Sequence, residues 1–331
     1  MEGIVKILHL QVNGNIRTWK ESKVMKDRGH RVSFFYVKHS PGVNQPGLSD
    51  DIFDECDRID MNHPKKWVAK RAVGYDIIHT HNDNLCVYAQ WSGVPIVHDI
   101  HDMASLIPQS QKIIDTERTA VEHAHRLITS SDGIRDAVWK KYGFSSQTIW
   151  NYPLNQQVDK FDNPRSLDRI VYAGKVGVVP HRNFGAVLLR LAEAEIIVDI
   201  YATNELKKKD MIEHKNINYK RPVNAMTMIK TMSLYKAGLI PFDHEPYRKH
   251  LDTTMAHKFW DYLAAGIPVF TTDTYSYRAW FKDYPETGSV YRAAQDLIAL
   301  IRNAQNYTVG EEYIRTMEDQ VDILESVYNN V

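Results

Sequence analysis

Two cysteines in 331 residues, and no net charge from 41 basic and 41 acidic side chains, already remove several classes of protein. Cys56 and Cys86 are too few for a disulfide framework and lack metal-ligand spacing, so they read as two reduced thiols. Balanced charge supplies no global field for nucleic acid or an anionic membrane. No stretch approaches the ~18 continuous apolar residues of a membrane span. The first apolar run, Ile4–Leu10, is short and follows acidic Glu2 rather than a basic segment, so no secretory leader is expected. There is no repeat, no low-complexity block and no GxGxxG, which removes the dinucleotide fingerprint.

What the chain does have is strand–helix alternation, the pattern of parallel sheets covered by helices. Val5–Leu10, Arg31–Val37, Asp76–His79, Pro95–Asp99 and Arg126–Thr129 read as strands. Helices are predicted over 17–27, with Gly29 as its stop, over 115–125, and from the Ser130/Ser131 cap to Tyr142. The segment 151–166, rich in Asn, Asp, Gln and Pro without apolar period, reads as an interdomain linker. Alternation then restarts, with strands at 169–173, 196–201, 238–241 and 268–271 and helices at 183–194, 225–231 and 256–265. A last helix is predicted over 308–328, with Thr308 and Glu311 as a capping box and an apolar stripe at 314, 317, 321, 324 and 328.

In such folds ligands bind beyond the carboxyl ends of the strands, so the residues just after each strand carry the interest. The first half offers His79-Thr80-His81-Asn82-Asp83-Asn84 and His98-Asp99-Ile100-His101-Asp102. His-x-His with a nearby acid resembles a hydrolase metal motif, but Asn84 stands where its last histidine belongs. The same imidazoles can line a sugar or phosphate site, or be satisfied histidines at strand ends. His101, further past its strand, is the better site candidate. Gly14 sits between a strand and a helix, where it serves turn geometry or lets backbone N–H groups approach a ligand. The second half opens with Tyr172-Ala173-Gly174-Lys175 and continues to Arg182. There a glycine turn and two cations suit a diphosphate. The densest signal is His257-Lys258-Phe259-Trp260-Asp261-Tyr262-Leu263-Ala264-Ala265-Gly266-Ile267-Pro268-Val269, whose Asp261 is suited to the vicinal hydroxyls of a ribose.

Residues 258–269 resemble the nucleotide-sugar motif of retaining GT-B glycosyltransferases of the family-four kind. Lys26–Val32, Tyr75–His81, Glu122–Ser131, Asn151–Pro153 and Gly238–Pro241 are similar to other segments of that family. The resemblance implies an α/β chain of two Rossmann-like domains facing across a cleft. Residues 1–155 would form the acceptor domain and 166–305 the nucleotide-sugar domain, with 306–331 a helix packing back on the first. It implies transfer of a sugar from a nucleotide-diphosphate sugar to an acceptor hydroxyl, with retention and no metal. The donor would be a UDP-sugar, with a GDP-sugar as the alternative. Carried over by position, Gly14 approaches the donor sugar or acceptor and His101 lies near the reacting sugar. Gly174, Lys175 and Arg182 hold the diphosphate, Lys258 adds charge there, and Asp261 holds the ribose. Thr253 stands where the family has its first acid, with Asp252 beside it, and Lys175 to Arg182 is one residue longer than usual.

Two other readings stay open. One is a metal-dependent hydrolase using His79, His81, His98 and His101. The other is a non-catalytic nucleotide-sugar binding subunit, marked by Thr253. The acceptor is expected to be a glycan or glycolipid; charge gives no support to a nucleic acid. Lys65, Lys66, Lys70 and Arg71 around Trp67 and Val68 form a basic amphipathic patch that suits either a surface helix or peripheral contact with the inner membrane face of a cytoplasmic protein.

Overall fold

The computed structural model describes residues 3–158, 165–177, 182–204, 206 and 211–331. The middle of the expected linker, 159–164, and loop residues 178–181, which include His181, lie outside them. The chain divides into two compact units. The first comprises Met1–Asn151 with Thr316–Val331, and the second Tyr152–Arg315.

The first unit is built on seven strands: β1 (Lys6–Asn13), β2 (Arg31–His39), β3 (Cys56–Arg58), β4 (Ile77–Thr80), β5 (Ile96–Ile100), β6 (Arg126–Thr129) and β7 (Gln147–Thr148). They form one parallel sheet in the order β3-β2-β1-β4-β5-β6-β7. The second unit has six: β8 (Leu167–Gly174), β9 (Val198–Ala202), β10 (Ile217–Lys220), β11 (Tyr235–Ile240), β12 (Val269–Thr272) and β13 (Gly288–Tyr291). Their order, β10-β9-β8-β11-β12-β13, is again wholly parallel. Both sheets reverse direction of growth beside their first strand, at β1/β4 and at β8/β11. This is the doubly wound Rossmann topology, and those reversals are where such sheets leave room for ligands.

Side-chain alternation splits each strand between two faces. In the first sheet Leu8, Leu10, Phe35, Ile78 and Ile96 face one way. They close a core with Val68, Leu85, Cys86 and Ala120 from the helices Pro64–Arg71, Asp83–Ala89 and Gln111–His123. Val68 is therefore buried in that core, and Arg71 is paired with Glu55 and Asp57. The basic patch around Trp67 lies on a surface helix whose apolar side is turned inward.

The strand predictions fall on the central strands and miss β3, β7, β10 and β13. These strands are short and lie at or next to sheet edges, where no continuous apolar run is needed. The last predicted helix is corrected. Its chain turns through short 3-10 segments at Glu311–Tyr313 and Met317–Gln320, and the α-helix covers only Val321–Asn329. The capping box belongs to Thr316 and Asp319, not Thr308 and Glu311: Asp319 Oδ2 accepts from the Thr316 N–H at 2.7 Å. Leu324, Val327 and Tyr328 of that helix are buried within the first unit.

Candidate functional sites in the two units

In the second unit the predicted phosphate residues converge at the β8/β11 reversal. β8 ends at Gly174, whose φ of 140° is in the region that glycine tolerates best. A Cβ there would lie 3.1 Å from Lys258 Cε and 3.2 Å from its Nζ. The bare glycine is thus the floor on which the lysine lies. Lys258 Nζ also sits 4.6 Å from the Phe242 ring centre and 5.3 Å from that of Tyr172, and the Arg182 guanidinium is 5.7 Å from Phe242. Burial, with Arg182 beside it, pushes the Lys258 ammonium down to about 7, against the opposing pull of Asp261. Among the described residues neither Lys258 nor Arg182 has a carboxylate within ion-pair distance, and the buried Arg182 Nε has no hydrogen-bond partner. Two cations thus share one aromatic floor, with Asp261 acting on Lys258 from beyond ion-pair distance.

Tyr262 holds that lysine's helix, His257–Ala264, in place. Its ring lies over Gly238, where a Cβ would come within 2.4 Å of it. Its hydroxyl accepts from the Ala173 N–H at 3.1 Å and reaches the Val171 carbonyl at 3.2 Å. Asp261, one position earlier, is partly exposed and lies 3.6 Å from His257 Nε2. Lys175 is exposed, and its carbonyl accepts the Tyr172 hydroxyl at 2.7 Å. Thr253 ends the short helix Arg248–Thr253 and donates to the His250 carbonyl at 2.9 Å. Its neighbour Asp252 accepts from the Tyr275 N–H at 2.9 Å, capping the helix Tyr275–Asp283, and lies 3.3 Å from Arg248. Tyr172, Phe242, Gly238 and Tyr262 are the positioning residues that the sequence reading did not single out.

In the first unit Gly14 is filled in rather than open. A Cβ there would meet the Pro41 backbone nitrogen at 2.4 Å, and the Gly14 N–H donates to the His39 carbonyl at 2.8 Å. The glycine is needed for the close approach of Pro41. His101 is the outermost imidazole at the end of β5, 22% exposed, with Nε2 3.0 Å from Asp99 Oδ2 and 3.3 Å from His81 Nδ1. Asp99 is wholly buried and takes a fork from Arg17, with Nε at 2.7 Å and Nη2 at 3.1 Å. Burial opposes its charge, but Arg17, His101 and His81 more than offset this and hold it well below the usual carboxylate range. Arg17 Nη1 continues to the Ile149 carbonyl at 2.7 Å and to Asn151 Oδ1 at 3.1 Å. His101 is thus oriented from below by a charged pair fixed to the end of the unit's chain.

The four histidines of the hydrolase reading do not assemble. Strand alternation puts His98 on the opposite face, where Nδ1 meets the Thr80 hydroxyl at 2.9 Å and Nε2 meets Asp83 at 3.0 Å. His79 is fully buried and His81 nearly so, which leaves no approach for a hydrolytic substrate.

The profile described as Glycosyltransferase Family 4 matches residues 17–151. No curated protein sequence matches the chain. Among solved structures, the chain is similar to Anabaena HepE, in complex with UDP, at TM-score 0.66 and 12% identity, over 98% of this chain and 97% of that one. It is similar to AviGT4, a glycosyltransferase involved in avilamycin A biosynthesis, at 0.61 and 12%, again over 98% and 97%. It is also similar to the UDP-GlcNAc 2-epimerase of Methanocaldococcus jannaschii, at 0.60 and 9%, over 97% and 99%. At such identities the likeness is one of fold, shared by transferases and an epimerase alike. The family match covers the first unit, and the architecture across the whole chain is the GT-B fold.

Proposed function

We propose that the chain transfers a sugar from a nucleotide-diphosphate sugar to an acceptor hydroxyl with retention, and that side-chain cations rather than a divalent ion neutralise the leaving diphosphate. The observation that carries this reading is the pair of cations Lys258 and Arg182 on one aromatic floor at the β8/β11 reversal, with Lys258 lying against Gly174. Positive charge held ready where a phosphate oxygen gains charge lowers the barrier without reorganisation. Lys175 adds an exposed cation at the rim, and Asp261 is assigned the ribose hydroxyls. His101, fixed by Asp99, is the first unit's group for the reacting sugar; Gly14 keeps the β1 loop closed against Pro41. UDP in HepE supports a UDP-sugar donor, with a GDP-sugar as the alternative. The acceptor is a glycan or glycolipid, and the reaction belongs in the cytoplasm, where its donor is found.

By the resemblance, Thr253 in place of the first acid bears on the donor sugar; its hydroxyl donates to the His250 carbonyl. Arg182→Ala should weaken UDP binding at least ~10-fold in calorimetry, the loss of one charge-assisted fork. Unchanged binding would remove the phosphate assignment. Tight UDP binding by the unaltered chain, with no hydrolysis or transfer across a panel of UDP-sugars, would make it a binding subunit instead.

A further inference from the structure

The second face of the first sheet is polar at its centre. Register pairs His9 of β1 with His79 of β4, and His81 follows two residues later on the same face. The three rings lie side by side, with centroids 4.7 Å apart for His9–His79 and 4.4 Å for His79–His81. Above them the helix Ile16–Asp27 turns Glu21 inward. His9, His79 and Glu21 are all 0% exposed.

The hydrogen bonds of this group follow one pattern. His9 Nδ1 is 2.9 Å from His81 Nε2, and His79 Nδ1 is 2.7 Å from the Tyr328 hydroxyl. Each ring is therefore held by its δ nitrogen. His9 Nε2, His79 Nε2 and both carboxylate oxygens of Glu21 are buried without a hydrogen-bond partner. Arg17 Nε comes within 3.1 Å of Glu21 Oε1 without hydrogen-bond geometry. Three buried atoms without a hydrogen-bond partner, beside a fourth that has only ion-pair contact with Arg17, are costly unless something satisfies them. One ligand atom from each of His9, Glu21, His79 and His81 falls within 4.8 Å of all the others.

We propose that His9 Nε2, His79 Nε2 and the Glu21 carboxylate bind a divalent transition-metal ion of the zinc class inside the first unit. Two imidazoles and a carboxylate are a zinc donor set. Metal-bound histidines characteristically engage their second nitrogen with an outer partner, which is what His81 and Tyr328 provide. His81 reaches the cluster too, but its Nε2 is already engaged with His9. Burial, reinforced by His81, keeps His9 and His79 neutral and ready to donate a lone pair. The site is closed to solvent and ties β1, β4 and the helix Ile16–Asp27 together. It is independent of the diphosphate reading and shares only His79 among its ligands with the hydrolase reading.

The test uses the full chain, purified without a histidine tag and dialysed against metal-free buffer. Elemental analysis should find about one zinc per chain. After chelator treatment, added Zn2+ should restore the metal and raise the melting temperature. Glu21→Gln and His9→Ala should each lose the ion, while His123→Ala on the exposed end of another helix should keep it. Absence of zinc from the unaltered chain, with no thermal shift on adding Zn2+ or Co2+, would overturn the proposal and leave ordered water as the partner of these atoms. Equal zinc in the Glu21→Gln variant and the unaltered chain would also overturn it. If both variants fail to fold, metal content and thermal shift of the unaltered chain still decide. UDP binding is measured separately on the second unit, so failure of either reading is seen by itself.

Discussion

Lys258 lies between two aromatic rings and a second cation, and burial beside Arg182 brings its ammonium down to about 7. Between about pH 7 and the ordinary lysine range the unfolded chain therefore holds a proton that the folded chain has released. The unfolded state binds more protons there, so this residue makes stability rise with pH across that window. Ligand binding has the opposite sign. A diphosphate favours the charged form, so UDP binding near pH 8 should take up close to one proton, and affinity should fall by up to ~10-fold per pH unit above 7. Calorimetry in buffers of different ionisation enthalpy reads that uptake directly. Lys258→Met should abolish it; an unchanged proton count would show that another group titrates. The motif around residue 258 was legible in the sequence because the lysine, the acid and the glycine lie close together along the chain. The aromatic floor was not, because Tyr172 and Phe242 reach it from different strand ends.

At the scale of elements, one hydroxyl ties the helix Val321–Asn329 to β4. Tyr328 is buried, and its Oη meets His79 Nδ1 at 2.7 Å across 249 residues of chain. Tyr328→Phe leaves a buried imidazole nitrogen unsatisfied and should cost about 1–3 kcal/mol in urea unfolding; a loss under about 0.5 kcal/mol would mean water replaces the hydroxyl. The central strands could be read directly because strands covered on both faces are nearly continuous in Ile, Val and Leu. The helix Ile16–Asp27 was placed correctly, but its role was hidden. Arg17, Lys20 and Glu21 look like a solvated face, yet all three are buried. Arg17's partner Asp99 is distant in sequence, and the residues beside Glu21 are too or, like His9, are embedded in an apolar strand where a polar residue reads as an exception.

At the scale of the whole molecule, the units are not two consecutive halves. The first is completed by Thr316–Val331, anchored through Gln320, which accepts from the Trp150 N–H at 2.9 Å and donates to its carbonyl at 2.7 Å. Arg28 pairs with Asp322 at 2.6 Å, and His30 meets Glu325 at 3.0 Å. A chain ending at Arg315 should therefore melt in two separated calorimetric steps, with only the first unit's step lowered; coincident lowering of both would show that the units unfold as one.

This interrupted connectivity has a consequence for synthesis. The second unit is contiguous and can close as soon as its own last strand and helices have emerged. The first unit, although begun earlier, must wait for the helix Val321–Asn329 to give His79 its hydroxyl partner. Order of appearance and order of completion are thus reversed. Until Val321–Asn329 docks, His79 lacks its hydroxyl partner, so any ion that these residues take up has its easiest entry before then.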